Sequence, residues 1–299
     1  MSFCLGIDLG GSSVKAVAVT RAGEAWQRET AAFDPERAMH FAETIRELVA
    51  RISATRGEAP SVIGLSAPGL AAKDGLSLAY LPGRLPGLEG LNWSQYLGAQ
   101  FPIPVLNDAQ AALLGEVWLG AARGSQNAIL LTLGTGVGGA ALVDGRLLRG
   151  HTGKAGHLGH LSLDPDGPPD ICGAPGSLEL AMGNCTIHER GHGRFATTHD
   201  LVRAAETGDA FANEVWKKSV KALAAAIVSF TNVLDPEVVI VGGGIARAGE
   251  KMLFAPLREL VAKHEWRVCG HATRIVPAQL GEYAGAFGAA WNALGRATG

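Results

Sequence analysis

Apolar and polar positions alternate along this chain in patterns that predict an α/β protein. Three apolar runs of strand length come first, at Phe3–Leu9, Val14–Thr20 and about Glu24–Thr30. The segment Pro35–Arg56 then changes to helical spacing, and its apolar face carries Phe41, Ile45, Leu48 and Ile52. The chain therefore opens with a strand–strand–strand–helix unit.

The same succession returns in the second half. A Gly- and Pro-rich loop is predicted at Pro68–Asn92 and another at Pro165–Gly176. The remaining predicted strands are Val62–Leu65, one ending at Val105–Leu106, Ala128–Leu133, Gly139–Val143 and Val238–Val241. The remaining predicted helices are Asn107–Leu119, Ala210–Leu234, one after Gly244 and Glu282–Leu294. The repetition indicates a duplicated α/β unit with a cleft between the two copies.

Composition narrows the class of protein. The 299 residues are 47% apolar and 18% charged, which is enough for a sizeable core, and the net charge of −2 argues against nucleic-acid binding through a basic surface. The cysteines Cys4, Cys172, Cys185 and Cys269 are scattered, so reduced thiols are expected. No run reaches the length of a membrane span, and the N-terminus lacks a signal-peptide pattern. We expect a cytoplasmic protein without membrane partners.

Two glycine turns contain residues that suit phosphate binding. In the first, Asp8 precedes Gly10, Gly11 and Ser12, and Lys15 follows on the next strand. Glycine lets backbone N–H groups close around a phosphate, and a carboxylate at this position can hold Mg²⁺ through water. An ordinary β-hairpin with Asp8 at its turn is the alternative.

The second turn lies in Leu131–Gly139 and is the more specific of the two. Its side-chain hydroxyl and alternating glycines suit phosphate oxygens, and the residues are Gly134, Thr135, Gly136 and Gly138. It is not a P-loop, and the strand that follows argues against a dinucleotide fingerprint. A bend at a sheet edge is the alternative, but two such turns favour one nucleotide held between two lobes.

Three further motifs fit phosphoryl transfer. Gly242, Gly243 and Gly244 after an apolar strand give a flat surface for adenosine, although many α/β crossovers look alike. Asn107 and Asp108 cap a helix, and Asp108 is placed to accept a proton from an attacking hydroxyl. His157 and His160 flank a glycine, which leaves metal binding, sugar binding, catalysis or a structural role open.

Together these motifs resemble the ROK family of sugar kinases and repressors, within the actin-like ATPase superfamily. Leu5–Lys15 resembles its first phosphate motif, Leu131–Gly139 its second, Val238–Ile245 its adenosine motif, and Gly156–Glu179 its signature segment. The resemblance implies a two-lobed α/β actin-like ATPase (ribonuclease H-like) fold with an interlobe active-site cleft. The implied N-terminal lobe is 1–118 plus 285–299 and faces sugar and phosphate. The implied C-terminal lobe is 119–284 and serves nucleotide binding and dimerisation.

The resemblance also implies an activity and a site. ATP, with Mg²⁺, would phosphorylate a hexose or amino-hexose, with Asp108 as the base and the 6-OH as the acceptor. The implied sugar-binding residues are Gly69, Asn107, Asp108, His157, His160 and Glu179. The implied ATP and phosphate residues are Asp8, Gly10, Gly11, Ser12, Lys15, Gly134, Thr135, Gly136, Gly138, Gly242, Gly243 and Gly244. A homodimer is expected as well.

Two departures from the family pattern matter. His157 replaces a family Glu that binds the sugar, and a neutral imidazole offers one donor and one acceptor where a carboxylate only accepts. The family's zinc ligands, one His and three Cys, read His160, Asp170, Cys172 and Ser177 here, so no structural zinc is expected. His157 and Asp170 remain possible replacement ligands. Arg84 stands about where many members carry an Asn facing the sugar, and it either reaches the substrate or, as we expect, faces solvent.

Several rival functions stay open at this point. The sugar is glucose, N-acetylglucosamine, N-acetylmannosamine, allose or fructose, and polyphosphate is an alternative donor. A repressor is disfavoured because the phosphate motif starts within the first ten residues, which leaves no room for a helix-turn-helix. A catalytically silent sugar sensor is disfavoured by the intact Asp108 and by both glycine turns.

Overall fold

The computed structural model describes residues 3–297 and divides into two compact units. The first unit comprises the chain up to Gly124, residues 149–155 and the chain from Gln279 onwards, and the second comprises Ser125–Leu148 and Gly156–Ala278. These crossing points differ from the 118/119 and 284/285 lobe boundaries expected from sequence.

The strands fall close to the predicted runs. They are β1 (Cys4–Leu9), β2 (Ser13–Val19), β3 (Ala25–Ala32), β4 (Val62–Ala67), β5 (Leu70–Ala71), β6 (Leu78–Tyr80), β7 (Val105–Asn107), β8 (Ala128–Leu133), β9 (Val137–Val143), β10 (Arg146–Leu147), β11 (Val238–Gly242) and β12 (Arg274–Pro277). The short β5–β6 pair lies inside the segment predicted to be an irregular loop.

The helices also follow the apolar periodicity. They are α1 (His40–Arg56), α2 (Trp93–Leu97), α3 (Asp108–Leu119), α4 (Leu178–Met182), α5 (Ile187–Arg190), α6 (Thr198–Glu206), α7 (Ala210–Leu234), α8 (Ala255–His264) and α9 (Ala284–Ala297). The helix predicted to follow Gly244 is instead a short 3₁₀ turn and a π turn before α8. Within residues 3–297 no helix is both long and apolar enough to cross a membrane.

Each unit contains one five-stranded sheet, and the two sheets share a topology. The first has the order β3-β2-β1-β4-β7, and the second has the order β10-β9-β8-β11-β12. In the first sheet, β1 and β2 form an antiparallel hairpin and β4 runs parallel to β1. In the second sheet, β8 and β9 form the hairpin and β11 runs parallel to β8. The duplicated α/β unit predicted from sequence is therefore present.

Glycine allows α9 to lie directly on the first sheet. A Cβ on Gly6 would overlap the carbonyl oxygen of Ala286, and one on Gly64 would overlap that of Ala289. The helix α3 approaches α9 as closely, because a Cβ on Gly288 would overlap the carbonyl of Ala111. This packing brings β1, β7 and the start of α3 together in the first unit, and these elements carry the candidate catalytic carboxylates.

Candidate active site

Asp8 lies at the end of β1 in the first unit and is held on several sides. The buried Ser66 hydroxyl donates to its Oδ1 at 2.7 Å, and a Cβ on Gly285 would come within 2.7–2.8 Å of its carboxylate atoms. Burial, and secondarily the charge of Asp108, raises the pKa of Asp8 to about 6, although Ser66 and Lys15 oppose the shift. Ser66 and Gly285 had no motif in the sequence to mark them.

The first glycine turn follows Asp8 and leaves its backbone accessible. The amide of Gly10 donates to the carbonyl of Ser13 at 2.8 Å, while Gly11 and Ser12 are exposed. The Arg84 guanidinium approaches this turn, since its Nη2 is 3.3 Å from where a Cβ on Gly11 would lie. Lys15 lies across the hairpin from Asp8, and its Nζ is 3.9 Å from Glu282.

Asn107 and Asp108 join β7 to α3 as predicted. Asn107 is buried, and its Oδ1 caps the helix by accepting the amides of Ala109 at 3.0 Å and Gln110 at 3.4 Å. Its Nδ2 donates to the carbonyl of Gly69 at 2.9 Å. Asn107 therefore caps α3 as predicted, and the neighbouring Asp108 lies exposed at the helix N-terminus.

Gly69 has a specific backbone requirement. Its φ is +97°, and a Cβ there would lie 2.6 Å from the carbonyl oxygen of Tyr80. Glycine is therefore needed to bring its carbonyl to the Asn107 amide. Asp8, Asn107, Asp108 and Gly69 form one group at the ends of β1, β4 and β7 in the first unit.

The second glycine turn lies in the second unit, between β8 and β9. The amide of Gly134 donates to the carbonyl of Gly136 at 2.9 Å, and Thr135 is exposed at the tip. Gly138 lies beyond the turn, inside β9 opposite Thr132. The backbone carbonyls of Gly134 and Thr135 accept the amides of Asn184 and Cys185, at 2.9 Å and 2.7 Å. The turn is thereby fastened to the segment that follows α4.

Glu179, in the first turn of α4, lies against this second turn. Its Oε2 accepts the amide of Val137 at 2.9 Å, and a Cβ on Gly136 would overlap that oxygen. Glu179 was assigned to the sugar from sequence, and the structure adds this contact with the second glycine turn. A partly buried arginine supports the region, because Arg190 donates to the carbonyl of Gly183 at 2.7 Å.

The His157–His160 motif packs on the same strand. Leu158–His160 forms a 3₁₀ turn, and a Cβ on Gly159 would overlap the carbonyl oxygen of Val137. The second unit thus gathers the His motif, Glu179 and the second glycine turn around β9.

His160 takes part in a compact polar group with Asp170 and Cys172. Its Nδ1 is 2.7 Å from Asp170 Oδ2, its Nε2 is 3.4 Å from Cys172 Sγ, and the three candidate ligand atoms lie within 4.8 Å of one another. Burial would raise the pKa of Asp170, but the bond with His160 and other hydrogen bonds outweigh it and lower the pKa to about 2.

The donor set determines how well this group suits zinc. It offers one nitrogen, one carboxylate and one sulfur, whereas structural zinc sites have four ligands that are mostly sulfur and nitrogen. Asp170 Oδ1 already accepts the amides of Cys172 at 2.8 Å and Ala174 at 3.0 Å. The group can offer ligands to a metal ion, but it is poor in sulfur for a structural zinc site.

The Gly242–Gly244 turn ends β11 in the second sheet. Gly243 has a φ of +86°, and a Cβ there would overlap the carbonyl of Leu133, the residue before the second glycine turn. Because β11 is parallel to β8, both glycine turns lie at the carboxyl ends of neighbouring strands, where α/β proteins place ligands. His199 Nε2 is 3.6 Å from where a Cβ on Gly244 would lie, a neighbour that sequence did not indicate.

Comparison with known proteins agrees with these motifs. The model of the ROK family matches residues 4–296. The chain is 33% identical to a glucokinase of Thermotoga maritima, over 96% of this chain and 95% of that protein. Its structure is similar to the ROK hexokinase from Thermus thermophilus, with a TM-score of 0.88, 29% identity and 99% of both chains covered.

A second solved relative was obtained with ligands. It is a ROK family glucokinase from Streptomyces griseus in complex with glucose and AMPPNP, with a TM-score of 0.75, 25% identity, and coverage of 98% of this chain and 100% of that one. These neighbours confirm the predicted α/β actin-like ATPase fold, and the named relatives support sugar kinase activity. The family match extends over nearly the whole chain, and the protein is a member of the ROK family.

Proposed function

We propose that this protein transfers the γ-phosphate of ATP to the 6-OH of a hexose or amino-hexose. The observation that carries the proposal is the pair of carboxylates in the first unit, where an exposed Asp108 at a helix N-terminus lies close enough for its charge to raise the pKa of the partly buried Asp8. Phosphoryl transfer from ATP to an alcohol needs one carboxylate for the proton and another near the metal.

Asp108 is the proposed base. One of its oxygens, Oδ1, accepts the amide of Ala109 at 2.8 Å, which fixes the rotamer of the side chain. Asn107 holds the backbone at this point through its cap and its bond to Gly69. Asp108 therefore accepts the hydroxyl proton as the oxygen attacks, and no covalent intermediate is needed.

Asp8 is the proposed holder of Mg²⁺ through water. A carboxylate oxygen is a ligand that suits Mg²⁺, and Asp8 must be ionised to serve, which its raised pKa still allows at neutral pH. Bound there, the ion would neutralise charge on the phosphates. Lys15 and the Arg84 guanidinium beside Gly11 add positive charge around the first turn.

The nucleotide is proposed to contact glycine turns of both units. Gly10–Ser12 in the first unit, and Gly134, Thr135, Gly136 and Gly138 in the second, are the phosphate contacts. The Gly242–Gly244 turn beside Leu133 is the adenosine contact, and it favours ATP over polyphosphate as the donor. Closure around the substrates would exclude water and limit ATP hydrolysis.

The sugar is proposed to contact Gly69, Asn107 and Asp108, together with His157, His160 and Glu179. Glucose is the first candidate because relatives are glucokinases. His157 offers a donor where the family Glu only accepts, so N-acetylglucosamine, N-acetylmannosamine, allose and fructose are tested beside glucose.

The test is a coupled ADP-release assay with each sugar, using MgATP and then polyphosphate as donor. We expect one sugar to exceed the others at least tenfold in kcat/KM, with product phosphorylated at the 6-OH by NMR. The absence of turnover with every sugar, combined with saturable sugar binding in calorimetry, would contradict the kinase assignment and support a sugar sensor.

A further inference from the structure

Glu116 is a buried carboxylate that the proposed reaction does not use. It lies in the last turn of α3, the helix that begins at Asp108, and its exposed fraction is 0%. A carboxylate there opposes the helix dipole, and in residues 3–297 no Lys or Arg forms an ion pair with it. Burial without a cation is costly unless the oxygens are otherwise satisfied.

Backbone amides satisfy both of its oxygens. Oε1 accepts the amides of Gln279 at 2.9 Å and Leu280 at 2.8 Å, and Oε2 accepts that of Ala121 at 2.8 Å. Gly120 makes room for the carboxylate, because a Cβ there would overlap Oε2. Three amide donors therefore replace the water that the carboxylate loses on burial.

The chain passes between the units at four places, and these three donors lie at the first and the last of them. Ala121 precedes the outward crossing, which comes after Gly124, and Gln279 is the first residue after the return. One carboxylate on the helix of the candidate base therefore holds the first and the last connection on the first-unit side.

Hydrogen bonds within the second unit fix the residues on the other side of the same two connections. After the outward crossing, Glu237 Oε1 accepts the amides of Gln126 at 2.8 Å and Asn127 at 2.9 Å. Before the return, the amide of Ala278 donates to the carbonyl of Val241 at 3.0 Å. Backbone bonds hold the first-unit side as far as Gly124, because the amides of Ala122 and Gly124 donate to the carbonyls of Glu116 at 3.1 Å and Val117 at 3.2 Å. Between the held segments remain Ser125 on the first connection and the single peptide from 278 to 279 on the last.

We propose that Glu116 is a positioning residue that holds the first and the last connection to α3 and confines bending of the chain at these two connections to Ser125 and the 278–279 peptide. A hinge works by absorbing φ/ψ change at a few residues, and fixed bonds on both sides define which residues those are. The kinetic part of this proposal rests on the proposed kinase function, whereas the structural part does not.

The decisive measurement is amide hydrogen exchange of the whole chain, without ligands, in wild type and Glu116→Gln. Glutamine keeps the size of the side chain but offers one acceptor oxygen and places an NH₂ against amide donors. We expect the exchange rates of the Ala121, Gln279 and Leu280 amides to rise at least about tenfold, which is the factor that the loss of one hydrogen bond gives. Exchange in the middle of α3 and in the first sheet stays unchanged.

Two variants complete the design. Gly120→Ala displaces the same carboxylate without removing it, so it should give the same exchange pattern if Glu116→Gln does not fold. The exposed Glu47 on α1 supplies the control Glu47→Gln, which should leave all three amides as in wild type. Unchanged exchange at these amides in both Glu116→Gln and Gly120→Ala, or equal loss of protection throughout the first unit, overturns the proposal.

Kinetics give a second readout. Changes at a hinge move kcat and KM together, so we expect Glu116→Gln to alter kcat and both KM values without moving the pH profile. If kcat falls alone, the kinetic role is overturned while the exchange result stands. If wild type has no kinase activity, the proposed function fails, and the exchange experiment still decides the role of Glu116.

Discussion

Glu179 Oε2 accepts the amide of Val137 at 2.9 Å, so a carboxylate proposed to bind the sugar also holds the turn proposed to bind phosphate. A bound sugar that reorients Glu179 would change the second glycine turn directly. If both proposed roles hold, the two substrates share one side chain, and variants of Glu179 should affect both of them.

Replacing Glu179 by Ala is expected to raise KM for ATP as well as KM for the sugar. Each KM should rise by about tenfold, because each substrate site loses one charge-assisted hydrogen bond. Glu179→Gln should affect the sugar more than ATP, because its amide oxygen can still accept the Val137 N–H. Initial rates with each substrate varied measure both constants. Glu189→Gln, an exposed site on α5, is the control, and an ATP KM unchanged in Glu179→Ala would contradict the coupling.

Gly285→Ala tests how Asp8 is held. The new methyl would come within 2.7–2.8 Å of the Asp8 carboxylate, which must shift or lose its bond to Ser66. We expect the free energy of unfolding to fall by about 1–3 kcal/mol, the usual range for overpacking, and the Mg²⁺ concentration needed for half-maximal rate to rise. Gly295→Ala in the same helix meets nothing within 4 Å and should behave as wild type. Equal Mg²⁺ dependence in both variants would argue against the role of Asp8.

Asp108→Asn should reduce kcat by about 10²–10⁴-fold, the usual contribution of a positioned base. The substitution keeps the size of the side chain and an oxygen for the Ala109 amide, so the cap and the fold should persist. Turnover is measured by ADP release, and folding by circular dichroism and thermal unfolding. A variant that retains more than half of the wild-type kcat would remove Asp108 from the mechanism.

Sequence predicted the parts of this site that depend on neighbours along the chain. The Asn107 cap and the two glycine turns followed from local spacing, as did the long α7. The partners of Asp8 did not, because Ser66 and Gly285 are ordinary residues that only the packing of β4 and α9 brings to it. The contact of Glu179 with Val137 is hidden for the same reason.

Local propensity also misplaced some elements. The segment after Gly244 reads as a helix start, but Gly249, with a φ of +75°, interrupts it, and the regular helix begins only at Ala255. The sequence did not predict the β5–β6 pair because strands of two and three residues carry no periodic signal. Their place is set by tertiary contacts.

The raised pKa of Asp8 predicts a pH dependence of both stability and activity. The ordinary pKa is 3.8 and the folded value is about 6, so between these values the folded chain keeps a proton that the unfolded chain has released. The free energy of unfolding contributed by Asp8 therefore falls as pH rises through this window and is level above it. Ionised Asp8 is the form that holds Mg²⁺, so kcat/KM should rise with pH and level off above about 6.

Ser66→Ala identifies which carboxylate sets that profile. Ser66 lowers the pKa of Asp8 through its 2.7 Å hydrogen bond, so its removal should move the rising limb of kcat/KM to higher pH. Ser61→Ala, in the turn before β4, is the control, and its profile should match that of wild type. A limb that stays in place in Ser66→Ala would assign the profile to another group.

The His160–Asp170–Cys172 group predicts the metal content of the purified protein. Asp170 is satisfied by His160 and by two amides, and with one sulfur in the group we expect less than about 0.1 equivalent of zinc after dialysis without chelator. Elemental analysis measures the content directly. Thermal unfolding with and without EDTA should coincide, since a structural zinc would contribute to folding. Stoichiometric zinc that is lost in Cys172→Ser would contradict the prediction and identify this group as the ligand set.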